Sequence, residues 1–542
     1  MKALATLFTL LLISNLIACS SIGQISINIE EELSLKVNDN SNMTLVNISY
    51  IEELVKDFEE VFWDNVSGGY YNAMYDDEIS STAKNFQAVY YSLRLYSLLY
   101  KETGKIEYLE EINELFATAE KFKDPDTELY YPIMDENFTE PYGSADIAKL
   151  SFTLDYGYSL IVAYNITKNS TFLERAIELS DNIFSHYFDS AYGGYGIPYM
   201  DTVLKDAGAE SLAIRLNYFL FKITGESKYK ERVIYSKDAL EKMWHNGFYH
   251  SYFEDFHPFN EYRYGVGHVA TSPMLGYGYA YLLLGDNHLL ERALTLVNQT
   301  LFYYWDSIVG GYMYRLKEDF TVDVGDKMGY EIVQTTLLLY EMYKILSSIE
   351  GAEKFAKLVL RRVYGAIKLI YDRFLVDKEW LVSKVSRGLI VVDSTICSAN
   401  QARFILLLET VKKYFAKDTY PPELNSLEIE GSIIKIRTAD MEDGVKSVII
   451  ELNENTNEAE FDPESNVFVA SIDSYKALSQ SIKINITDWS GNSVSVKFEL
   501  MLGGGWFIDI KVWIIAILLV FIIVYIILQY RKVEKGEEAQ QL

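Results

Sequence analysis

Three observations predict a mainly α chain, an (α/α)6 toroid of six helical hairpins followed by a small immunoglobulin-like β-sandwich and one C-terminal transmembrane helix. An outer-helix signature recurs about every 60 residues, an Asp-x-x-x-Gly-Gly-Tyr signature recurs between helices, and the run Val512–Leu528 carries no charge. The 542 residues are 49% hydrophobic and 23% charged, which suits a large core and excludes a disordered chain. Lys+Arg 49 against Asp+Glu 77 gives a net charge of −28, which repels phosphate backbones and argues against nucleic acid as a partner. Two cysteines, Cys19 and Cys397, exclude a disulfide scaffold and a thiolate zinc site.

Residues 1–22 read as a signal peptide: Lys2, an apolar run from Ala3 to Leu12 and beyond, then small residues around Ala18-Cys19-Ser20. Leu16-Ile17-Ala18-Cys19 also resembles a lipoprotein processing site. A linker spans 23–48, and the toroid is expected over 49–418. Its outer helices carry Tyr108-Leu109-Glu110, Phe172-Leu173-Glu174, Tyr229-Lys230-Glu231 and Leu289-Leu290-Glu291, with glutamates 64, 57 and 60 residues apart. Before them stand Thr103-Gly104, Thr224-Gly225 and Leu284-Gly285, a helix stop and restart. The turn signature is strong at Asp64…Gly68-Gly69-Tyr70, Asp189…Gly193-Gly194-Tyr195 and Asp306…Gly310-Gly311-Tyr312, and weaker near Asp126, His245 and Asp377. Each unit resumes as a more apolar inner helix: Lys84–Glu102, Lys149–Thr167, Ala207–Thr224, Val269–Gly285, Met328–Ser347 and Ser398–Ala416. The inner-helix N-termini and the Asp turns are expected on one face.

Pro421-Pro422 ends the helical pattern, and alternating runs over 421–500 read as the β-sandwich, with Trp489 a structural or carbohydrate-binding residue. A Gly-rich hinge (501–511) leads to the transmembrane helix (512–530) and a tail (531–542) whose Arg531, Lys532 and Lys535 place it in the cytoplasm. Eight Asn-x-Ser/Thr sequons outside that helix fit an exterior glycoprotein. The expected localisation is therefore the cell surface, with the lipid bilayer met through the C-terminal helix.

The Asp…Gly-Gly-Tyr turn, Lys84…Gln87 opening an inner helix and the Tyr-Leu-Glu outer helix together resemble the six-hairpin glycosidase superfamily. Within it the layout is similar to the N-acylglucosamine 2-epimerase-like branch, a resemblance covering about 370 residues. It implies catalytic histidines on inner-helix faces. Gly267-His268 fits that pattern; Thr271 stands where an acidic residue often follows, and no second matching histidine is found. Hydrolysis by carboxylates is then implied as readily as epimerisation.

The shared face gathers Glu210 and Glu331, one turn inside their helices, with Asp206 and Asp326 at the entries as caps or catalytic groups. Two buried carboxylates of different pKa suit a glycosidic acid and its base or nucleophile. His268 is the further catalytic candidate. Lys84, Gln87, Lys149, Gln334, Gln401 and Arg403 are candidate substrate ligands. Tyr70, Tyr195 and Tyr312 are either platforms for sugar rings or packing residues. His245, His250, His257 and His268 have no metal-motif spacing, so no metal and no cofactor is expected. The sequence thus points to a membrane-anchored protein with carbohydrate as partner, a glycoside hydrolase first. The alternatives are a non-catalytic glycan-binding or envelope protein, and a sugar epimerase or isomerase.

Overall fold

The computed structural model describes residues 47–501 apart from short stretches, the longest being 143–148, 413–421 and 472–478. Outer helix α1 (Ile48–Phe62) precedes inner α2 (Phe86–Thr103), outer α3 (Ile106–Glu120) precedes inner α4 (Lys149–Thr167), and outer α5 (Ser170–Tyr187) precedes inner α6 (Ala207–Thr224). The alternation continues through α7 (Ser227–Met243), α8 (Ser272–Leu284), α9 (Asn287–Gln299), α10 (Gly329–Ser347), α11 (Glu353–Leu369) and α12 (Ser398–Val411). A π-helical turn, Gly267–Thr271, leads into α8. Each inner helix packs on the next, and α12 packs back on α1 and α2, closing the ring. The seam is hydrogen-bonded: Arg403 Nη2 donates to the Tyr91 hydroxyl at 2.8 Å, and Ser398 Oγ to the Asn72 carbonyl at 3.4 Å.

Local sequence explains the alternation. In α5 the buried residues Phe172, Ala176, Leu179 and Ile183 form one stripe, whereas α12 is buried along almost its whole length. Inner helices α2, α6 and α8 stop at Gly104, Gly225 and Gly285, whose positive φ (69°, 73° and 70°) lets the cap N–H turn back to the last helical turn.

Short strands before the inner helices pair with those of neighbouring units, as in Ala73↔Cys397, Lys84↔Met134, Lys205↔Tyr252 and Lys327↔Val385. This rim gathers the inner-helix N-termini with the Asp turns. Asp64, Asp189 and Asp306 each take a backbone N–H two residues on with Oδ1, from Val66, Ala191 and Ile308. Their Oδ2 atoms receive the ammonium groups of Lys84, Lys205 and Lys327 at 2.7, 2.8 and 3.3 Å. The strong turn signature of units one, three and five is thus matched by a lysine at the inner-helix entry.

Beyond the toroid, eight strands between Glu423 and Met501 form two four-stranded antiparallel sheets. Three of them, Glu423–Glu430, Asn455–Glu458 and Glu460–Asp462, were not expected from the alternation. All are sheet edges, where polar residues guard unpaired backbone and hide the periodicity. The sandwich docks on the third Asp turn through Asp440 N–H to the Ser307 carbonyl (2.7 Å) and Val445 N–H to the Ile308 carbonyl (2.9 Å). Among the described residues no helix is long and apolar enough to cross a membrane. The expected signal peptide, transmembrane helix and tail, most of the linker and hinge, and Trp489 lie outside the described residues.

Candidate active site

All six inner helices contribute to a cavity of about 330 Å³ at the centre of the ring. Its polar lining includes Gln87, Arg94, Asp155, Arg215, His268, Gln334, Asn400 and Arg403. At the floor, Asp155 of α4 pairs with Arg94 of α2, accepts the Tyr91 hydroxyl at 3.0 Å, and lies 3.5 Å from Arg215 of α6. Arg215 also reaches Glu341 of α10 at 2.5 Å, and Glu341 accepts the Tyr279 hydroxyl. Burial opposes ionisation of Asp155, but the two guanidinium groups outweigh it and hold its pKa below the ordinary carboxylate range.

On the wall, His268 Nδ1 faces Asp206 Oδ2 at 3.3 Å. Asp206 is also the N-cap of α6, its Oδ1 accepting the Gly208 N–H at 2.8 Å, so one carboxylate fixes both helix and ring. Burial favours the neutral imidazole, yet the Asp206 charge prevails and lifts the His268 pKa above its usual value. Against the same burial, His268 holds the Asp206 carboxyl below its own usual value. With Nδ1–H assigned toward Asp206, Nε2 is the nitrogen left for a ligand. The His250 ring lies 5.4 Å from that of His268 and stacks on Tyr264 at 4.0 Å. Burial pushes the His250 pKa down to about 4, so it is neutral at pH 7.

The cavity therefore brings together His268, Gln87, Gln334 and Arg403, with Asp206 behind His268. Other expectations are corrected. Glu210 is fully buried beneath the second Asp turn, where its Oε1 accepts the Tyr195 N–H. Gly194 has φ +76°, and a Cβ there would lie 2.5 Å from that oxygen. Burial pushes the Glu210 carboxyl up to about 8. Glu331 is likewise buried and accepts the Gly267 N–H at 3.0 Å, with its pKa raised by burial. Gln401 bridges the Leu381 N–H (3.0 Å) and the Glu379 carbonyl (2.7 Å). All three brace rim backbone against the inner helices, and none lines the cavity.

Asp326 pairs with Lys384 at 2.7 Å and does not cap α10, whose N-cap is Met328. Lys84 is buried on Asp64. Lys149 opens α4, but its side chain lies outside the described residues. Tyr70, Tyr195 and Tyr312 are at most 2% exposed and pack edge-on against Trp63, Phe188 and Trp305, so they are packing residues rather than sugar platforms.

Sequence reasoning missed Arg94, Asp155, Arg215 and Glu341. All four had a signal: each is a charge in the middle of a helix read as buried, and a buried charge needs a partner. His250 was noted in the histidine-rich loop, but nothing in its spacing showed that its ring lies beside His268.

In sequence the chain matches no protein-family model and no curated protein. In structure the toroid is similar to cellobiose 2-epimerase from Bacillus thermoamylovorans, with TM-score 0.54, 14% identity, and coverage of 67% of this chain and 99% of that one. A D-mannose isomerase gives TM-score 0.55 at 14% identity, covering 68% and 99%. The shared fold is the (α/α)6 toroid. A family 76 α-mannanase from Bacteroides thetaiotaomicron shares it, with TM-score 0.53, 14% identity and coverage of 68% and 95%. At such identities the likeness fixes the toroid and leaves the chemistry to the site.

Proposed function

We propose that the toroid takes a small sugar into its central cavity and moves a proton on it, as an epimerase or isomerase, with His268 as the acid–base group. The observation that carries this is the His268–Asp206 pair on the cavity wall. A paired-carboxylate hydrolase needs two carboxyl groups flanking the bond, about 5–10 Å apart. Among the described residues Asp155 is the carboxylate that lines the cavity, and two arginines hold it. Glu210 and Glu331, the pair expected from sequence, are turned to backbone amides.

In the proposed step, Nε2 of neutral His268 removes the C2 proton of an open-chain aldose, the C–H electrons form the C1–C2 double bond, and the carbonyl π electrons move to O1 to give the enediolate. Return of the proton to C1, with the O2 proton passing to O1 and the O2 electrons closing the C2 carbonyl, gives the ketose. Return to C2 after the C1–C2 unit has turned its other face to His268, with the O1 electrons reforming the aldehyde, gives the epimer. Asp206 stabilises the imidazolium formed in between. The likeness to a cellobiose 2-epimerase and a D-mannose isomerase supports a sugar as substrate.

The toroid and sandwich are proposed to stand outside the cell, anchored by Val512–Leu528 with the basic tail inside. Protease added to intact cells is expected to remove the described domains and spare residues 531–542.

The catalytic reading is tested with the full chain in detergent, incubated in D2O with a panel of aldoses, ketoses and reducing disaccharides. NMR is expected to show deuterium at C2 of the epimer or at C1 of the ketose. His268→Asn should lower the rate by about 10²-fold or more, within the ~10²–10⁴ attributed to general acid–base catalysis. Release of shorter saccharides without C2 exchange would restore the hydrolase; binding without any conversion would make the protein a lectin-like binder.

A further inference from the structure

We infer that the cavity is built for a sugar bearing an anionic group, a carboxylate or a phosphate ester, and that Arg403 receives it. The inference rests on the reading that the cavity holds a sugar, and it names the chemical class.

Three guanidinium groups line the cavity, those of Arg94, Arg215 and Arg403, against one lining carboxylate, Asp155. In a chain with 77 acidic residues against 49 basic ones, such a local excess does not reflect composition. Two of the three cations are matched: Arg94 by Asp155, and Arg215 by Glu341 with Asp155 further off. Arg403 is different. It is 3% exposed, its Nη2 donates to the Tyr91 hydroxyl at 2.8 Å, and its Nε, like that of Arg215, has no hydrogen-bond partner. Among the described residues it makes no ion pair with a carboxylate.

A buried guanidinium cannot shed its proton, so it cannot relieve an unpaired charge by becoming neutral. Holding Tyr91, through its hydroxyl and a 4.5 Å cation–π contact with its ring, uses one nitrogen and one face of the guanidinium and leaves the Nε edge without a partner. The planar fork suits two oxygens of a carboxylate or phosphate. Gln87, Gln334 and Asn400 line the same space and offer neutral donors and acceptors to sugar hydroxyls. The volume is at the small end of the ~300–1,000 Å³ usual for ligand pockets, which fits a small acidic sugar rather than a long polymer segment. The charge of Arg403 also acts on His268, lowering its pKa. An anion bound to Arg403 cancels that influence, so binding is expected to raise the His268 pKa and to take up protons near neutral pH.

The test is calorimetric titration of the full chain in detergent with D-glucuronate, D-galacturonate and D-mannuronate, with glucose, galactose and mannose, and with the 6-phosphates of those hexoses. At least one acidic sugar should bind about tenfold or more tightly than its neutral counterpart. Comparison of the uronate and phosphate arms identifies the anion. Arg403→Gln should bring the acidic sugar to the affinity of the neutral one, and Arg403→Lys should keep part of the preference. Because the parent protein alone supplies the acidic-to-neutral ratio, failure of a variant to fold leaves the inference testable.

Equal affinity for neutral and acidic sugars in the parent overturns the inference while leaving the proposed function standing, provided the neutral sugar is converted. A preference that survives Arg403→Gln overturns the assignment to Arg403. If no sugar binds at all, both readings fall.

Discussion

Replacing Glu210 by Gln tests whether this carboxyl group is part of the scaffold or of the chemistry. Gln keeps the shape and leaves an oxygen for the Tyr195 N–H, but it does not titrate. Burial moves the Glu210 carboxyl from 4.5 to about 8, so the folded protein keeps a proton there that the unfolded chain has lost at neutral pH. The sign is opposite to that of an ion-paired acid: stability is fully present below pH 4.5 and is lost as pH rises through about 8. At about 1.4 kcal/mol per pH unit, the loss is about 3 kcal/mol by pH 7 and on the order of 4–5 kcal/mol once pH passes 8. Urea unfolding of the parent and of Glu210→Gln, measured in parallel from pH 5 to 9, should give curves that diverge with rising pH. The variant should be the more stable at the alkaline end, with sugar turnover unchanged. Parallel curves would refute the buried neutral acid, and a hundredfold loss of turnover would return Glu210 to the catalytic machinery.

Other perturbations probe other parts of the fold. As a general base His268 acts when neutral, so kcat/KM should rise with pH through a pKa above 6.5, and Asp206→Asn should move that limb to lower pH. Gly194→Ala forces a side chain into φ +76° and onto the Glu210 carboxyl group, and should cost roughly 2–4 kcal/mol in chemical denaturation. Lys84→Met or Asp64→Asn alone leaves a buried charge unpaired and should cost roughly 3–5 kcal/mol, whereas the double variant should recover at least half of that loss. Arg387 donates to Asp306 (2.9 Å) and to the Pro463 carbonyl (3.1 Å), so Arg387→Ala should speed proteolytic separation of sandwich from toroid, read on a gel.

The helical ring was legible because its signals are local and repeated. Gly104, Gly225 and Gly285 mark helix stops that need positive φ, and the stripe of α5 marks an outer face. The site was less legible because its meaning depends on what lies across the ring. Glu210 and Glu331 lie in the first turn of their helices rather than a full turn inside, and sequence could not show that the nearest group was a backbone amide of the rim. Asp206 was legible as a cap and proved to be one while also facing His268, from 62 residues away. The Arg94–Asp155–Arg215–Glu341 network was hidden because its members lie 60 or more residues apart along much of the chain, and each alone resembles an accident in an apolar helix.

The seam between α12 and the pair α1–α2 has a consequence for assembly. The ring is held shut by contacts between its earliest and latest helices, with Arg403 and Tyr91 meeting across more than 300 residues of chain. Until Ser398–Val411 has been made, the flank of α1 and α2 has no neighbour, and Tyr91 lacks the guanidinium that covers it. An emerging chain is therefore an open arc whose apolar edge is available to a chaperone or to another arc. The same adjacency means that the beginning and end of the toroid are neighbours in space. A ring of this kind has no obligatory first helix, and moving the break in the chain from the seam to the exposed turn at Gly104–Lys105 or Gly285–Asp286 would leave every inner helix with both of its neighbours.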